Sequence, residues 1–77
     1  MNDSNERFAR LVLLCSKSLA RNYPTMDDVE HVAVALTLRR RGWLRHHGFT
    51  PDSAREFIGE PYYRVIPRVR QTLNNDA

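Results

Sequence analysis

Residues 39–70, RRRGWLRHHGFTPDSAREFIGEPYYRVIPRVR, hold most of the chain's positive charge and its clearest punctuation. Thr50 offers a hydroxyl to free backbone amides. Pro51 has no N–H to leave unpaired at a first helical position, and Asp52 faces the positive helix end. Gly59 supplies a stop, so a helix is predicted over 51–58, with Ala54, Phe57 and Ile58 inward. After the turn Gly59-Glu60-Pro61 comes a second, basic element carrying Arg64, Arg68 and Arg70. Two short helices joined by a glycine turn, the second one basic, can set a row of side chains in a DNA major groove.

The basic element admits two conformations. Tyr62, Tyr63, Val65 and Ile66 favour strands, so PYYRVIP reads as extended with a helix starting at Pro67. Alternatively, Tyr62, Val65, Ile66, Val69 and Leu73 share one face of a helix over 61–73, kinked where Pro67 removes a backbone bond and clashes with the preceding turn. The shared face favours the kinked helix. Residues 74–77 are expected to be disordered.

Upstream, Tyr23-Pro24 separates two further helices. The second is expected to start at a Thr25 cap, with Asp27, Asp28 and Glu30 in its first turn and Val29, Val32, Ala33 and Leu36 as its core stripe. Its extra apolar residues Val34, Ala35 and Leu38 suggest the central helix of the fold. It ends either at Gly42, with Trp43 folding back on Leu38, or at Gly48, with Phe49 folding back; the register of Trp43 and Leu44 favours Gly48. The first helix is expected over 5–22, opened by an acidic capping box, Asp3 with Glu6, and striped by Phe8, Leu11, Val12, Cys15 and Leu19. Leu13 and Leu14 widen that apolar face. The width fits equally a broad core stripe and a homodimer surface.

Composition sets the class. The chain has 77 residues, 42% of them hydrophobic and 9% aromatic, which suits one domain spanning 1–77 and is too small for a comfortable core. The expectation is an all-α bundle of three to four helices with dimerisation open. Net charge is +3, but residues 39–73 hold eight arginines against three acids. Eleven of the twelve basic residues are arginine, whose planar fork suits phosphate, guanine edges and carboxylates. One cysteine excludes an internal disulfide and fits a reducing compartment. The LVLLC run ending at Cys15 is too short for a signal or a membrane span, and Asp3 and Glu6 spoil a positive lead-in. A cytoplasmic chain without a membrane partner is expected.

Helical spacing lines up Arg64, Arg68 and Gln71, with Arg70 to one side. Arginine and glutamine read guanine and adenine edges bidentately, although a solvated basic face looks the same in sequence. Arg39, Arg40, Arg41 and Arg45, with His46 and His47, form a stretch without an acid that suits phosphate backbone. Residues 50–71 resemble helix-turn-helix DNA-binding domains in Ala54, Gly59 and Val65. Gly59 lies five residues after Ala54 and Val65 eleven after, each one beyond the family's spacing, which implies a turn longer by one residue. Pro67 inside the implied recognition helix is a second departure.

Catalysis finds no support: no glycine-rich phosphate loop, no paired nucleophile and base, and no spacing of His or Cys that makes a metal site. His31 is expected to pair with Asp27 or Asp28. No metal or cofactor is expected. Two functions remain. One is a DNA-binding transcriptional regulator that uses Arg64, Arg68 and Gln71 on bases and the Arg39–Arg45 stretch on phosphates. The other is a helical inhibitor or adaptor, of the type encoded by phages and mobile elements, that meets an acidic protein surface with the same arginines and anchors on Trp43, Tyr62 and Tyr63.

Overall fold

A computed structural model describes residues 3–75. Its described residues form six helical segments and no strand, in the order α1 (Asp3–Leu19), α2 (Asp28–Thr37), α3 (Arg41–His46), α4 (Pro51–Ile58), α5 (Glu60–Tyr63) and α6 (Ile66–Asn75). The architecture is all-α as expected, but six segments replace the three to four helices anticipated. Left-handed residues and one proline make the extra breaks.

Helices α1, α2 and α3 close in the same way. At the end of α1, Arg21 takes φ 60°, its amide donates to the Ser18 carbonyl (3.1 Å) and the Asn22 amide to Lys17 (2.9 Å). At the end of α2, Arg39 takes φ 57°, with Arg39 donating to Leu36 (3.2 Å) and Arg40 to Ala35 (2.8 Å). Gly48, at φ 81°, ends α3 with Phe49 donating to Leu44 (2.8 Å). Each is the paired closure in which two amides beyond the helix satisfy its last carbonyls. The stop and the Phe49 fold-back expected at Gly48 are therefore present. The continuous helix from Thr25 to His47 is not: α2 ends at Thr37, and Gly42 lies inside α3.

The start of α2 also differs from expectation. Asp27, not Thr25, is the cap: its carboxylate accepts from the Glu30 amide at 2.8 Å while the Glu30 carboxylate accepts from the Asp27 amide at 3.1 Å. Arg10 of α1 fixes Glu30 in this role through a 2.8 Å ion pair. The hydrogen bond to Arg10 is the main reason the Glu30 carboxyl is held below its ordinary range. The acidic box at Asp3 lies outside the described side chains. Helix α4 has the bounds expected of it. Thr50 caps it by a reciprocal pair with Ser53, at 3.1 and 2.9 Å, and Gly59 ends it at φ 84°.

The core joins Leu11, Leu14 and Cys15 of α1 to Val32–Ala35 of α2, closed by Leu44, Ala54, Ile58, Val65, Ile66 and Val69. With α1, α3, α4 and α6 all against it, α2 is the central helix. The α1 stripe is turned from the expected one. Leu11, Leu14, Cys15 and Ser18 face inward at helical spacing, whereas Leu19 is exposed. Leu14 is therefore core, and only Leu13, at 45% exposed, remains of the proposed dimer surface. Phe57 also departs from its inward assignment, at 44% exposed.

Residues 61–67 are not extended. Helix α5 stops at Tyr63, whose carbonyl the Pro67 ring would strike and whose bond Pro67 has no N–H to make. A turn at Arg64-Val65 follows, closed by the Val65 amide on the Tyr62 carbonyl at 3.1 Å. Pro67 then falls in the first turn of α6, where its missing N–H is harmless. The break thus precedes the expected kink at Pro67. Asn74 and Asn75, expected to be disordered, form the end of α6; Asp76 and Ala77 lie outside the described residues.

Candidate nucleic-acid interface

Four arginines occupy the corner between α2 and α3. Arg39 is the left-handed closing residue of α2, Arg41 and Arg45 share one face of α3 at i and i+4, and all three are exposed. Arg40 differs in being half-buried. Among the described residues none of the four forms an ion pair. Helix α3 has no acid in its first turn, and Arg45 and His46 lie in its last. The corner is thus an uncompensated positive surface.

On the far segment, Arg64, Arg68 and Gln71 are all exposed, but their row is bent because Arg64 precedes the α6 start. Arg64 lies 3.8 Å from the Glu60 carboxylate, a loose and wet pair. Arg68 lays its guanidinium 4.6 Å over the Phe8 ring of α1, which fixes the stem and leaves its edge to solvent.

Arg70, expected to bind a partner, is occupied internally. Its guanidinium donates to the Leu36 carbonyl at 2.7 Å and, through Nε, to Thr37 at 3.1 Å, so a positive group satisfies the negative end of α2. Burial, aided by neighbouring Arg39, lowers its pKa. This clasp ties α6 to the C-terminal end of α2, while Arg68, nearly opposite Arg70 on α6, lies against α1.

The three aromatic candidates do not form one surface. Tyr63 lies under the Arg55 guanidinium at 4.3 Å. Tyr62 is half-buried beside α1, with Arg7 5.9 Å above its ring, and burial raises its pKa. Trp43 instead belongs to a separate cluster. His31, expected to pair with an acid, stacks near-parallel to Trp43 with centroids 6.0 Å apart, and His47 tilts against the indole at 4.1 Å. Together with Phe49 and Phe57, which the sequence reading did not single out as site residues, they line an open cleft of about 570 Å³. Exposed Phe57 was hidden by its inward helical register.

Elsewhere, no three His, Cys, Asp or Glu side chains are placed to hold a metal ion among the described residues. Burial pushes the Cys15 thiol up to about 11, so it is neutral and inert at neutral pH. No described helix is long and apolar enough to cross a membrane. Compared with known proteins, the chain matches no family model, no curated protein and no solved structure.

Proposed function

We propose that the protein is a small DNA-binding regulator rather than an enzyme. Arg39, Arg41 and Arg45 hold phosphates, and Arg64, Arg68 and Gln71 face base edges. The observation that carries this reading is the corner of exposed arginines, Arg39, Arg41 and Arg45, which has no ion-pair partner among the described residues. Unpaired surface guanidinium groups lose nothing internal on meeting a phosphate, and they release condensed counterions when they do. In the helix-turn-helix resemblance, α4 and Gly59 supply the first helix and the turn. The four-residue α5 is too short to read a groove, so α6 takes that part. Leu13 stays available for pairing two copies on a two-fold operator, while Leu14 does not.

The test is fluorescence anisotropy on a preferred duplex and on scrambled duplexes. Arg68→Ala or Arg64→Ala should cost about 1–3 kcal/mol on the preferred sequence and relax its preference. Arg41→Ala or Arg45→Ala should weaken all duplexes alike. Folded Arg64 and Arg68 variants with unchanged affinity and preference would sink the assignment of base-reading residues.

A second reading, a helical inhibitor or adaptor for an acidic protein, is favoured by the cleft of Trp43, Phe49 and exposed Phe57. Aromatic side chains around a concavity are common interface anchors. On that reading Trp43→Ala, if it stays folded, is more damaging to partner binding than any loss at the arginine corner.

A further inference from the structure

The stacked His31–Trp43 pair lines a second cleft, on the side of α1, whose residues the proposed DNA contacts leave unused. Its volume is about 280 Å³. That lies just under the usual range of about 300–1,000 Å³ for small-molecule sites, which limits an occupant to one ring system with a short polar arm. Two observations give it chemical character. Ser18, only 1% exposed, lines it with a buried hydroxyl that has no hydrogen-bond partner among the described residues. A buried hydroxyl left unpaired is costly, and such groups usually have a partner. Arg40 also lines it, half-buried, and forms no ion pair and no side-chain hydrogen bond among the described residues.

The two groups are neighbours in the fold. Arg40 acts electrostatically on Cys15, which lies one helical turn before Ser18 on the same face of α1. Among the described residues no acidic side chain lines the cleft. Its floor is apolar, from Val34 and Ala35, one wall is the flat Trp43–His31 stack, and Tyr23 stands at its edge.

We propose that this cleft binds a small aromatic carboxylate. The carboxylate sits against the Arg40 guanidinium with Ser18 Oγ donating to it, and the ring lies along Trp43. This site does not depend on the DNA-binding reading, and it gives Arg40 a role other than the phosphate contact expected from the sequence.

Trp43 is the chain's only tryptophan, so its fluorescence reports on the cleft directly. The probes are phenylacetate and benzoate, with phenylacetamide and benzamide as uncharged counterparts. The acids should change Trp43 emission saturably with dissociation constants below about 1 mM and raise the melting temperature, since a ligand held by the native state stabilises it. The amides should bind about tenfold more weakly, for loss of one charge-assisted pair. Arg40→Gln should cost the acids about tenfold and leave the amides unchanged.

Ser18→Ala separates binding from folding. Its hydroxyl has no partner to lose, so the melting temperature of the free protein should hold or rise, while acid affinity falls about threefold or more. No saturable response to either acid at about 10 mM overturns the proposal. So does equal binding of acids and amides, or a Ser18→Ala variant that melts earlier and binds as before.

Discussion

Leu14→Ala should unfold the protein at room temperature or nearly so, with a loss of about 3–5 kcal/mol in urea titrations followed by far-UV circular dichroism. Leu14 is fully buried where α1 meets the core, and removing its side chain leaves a cavity that a rigid helix cannot close. A domain of this size draws only about 3–5 kcal/mol from one core, so the loss approaches the whole stability. Leu13→Ala, one residue away on the exposed side, should stay within about 0.5 kcal/mol of wild type. Equal losses at the two positions would show that both leucines are covered, as in a tight dimer through α1.

Arg70→Met should cost about 3 kcal/mol, read as a fall in melting temperature. The variant keeps the apolar stem but removes two charge-assisted bonds, to Leu36 and Thr37. Those carbonyls end α2 at a left-handed Arg39, a conformation that itself costs a non-glycine residue about 1–2 kcal/mol. Losing the clasp therefore frays the central helix at its weakest point. Arg70→Lys should recover part of the loss, because an ammonium lacks the planar fork that spans two acceptors. An Arg70→Met variant that melts like wild type yet loses DNA affinity would mean that Arg70 serves the ligand and not α2.

What the sequence revealed, and what it hid, follows from how local each signal is. Helix α4 was readable at both ends because Thr50, Pro51, Asp52 and Gly59 act within a few residues of themselves. The end of α2 was not, because the residue that turns the chain is arginine, where glycine is the usual sign. What holds that end, Arg70, comes from 33 and 34 residues away in sequence. The α2 cap was mislocated for a related reason. Thr25 is an acceptable cap by type, but Glu30, held by Arg10 from α1, completes the box for Asp27.

Among the candidate residues, the exposure of Arg39, Arg41 and Arg45 could be expected from composition, since a charged stretch without acids stays exposed in almost any fold. Arg70 and Arg40 have the same composition signal and a different fate, which only packing decides. Ser18 carried one overlooked clue. It continues the Leu11, Leu14, Cys15 spacing and so had to be a polar group on a buried stripe.

The central claim, that the α2–α3 corner binds nucleic acid through phosphates, is tested most directly by the salt dependence of binding to a short fluorescent duplex. Three to five phosphate contacts predict a log–log slope of about −2.7 to −4.5, or roughly 40- to 500-fold weaker binding between 50 and 200 mM salt. Arg41→Ala and Arg45→Ala should each flatten that slope by about 1. Absence of duplex binding at low salt, or a slope that neither substitution changes, would contradict the account.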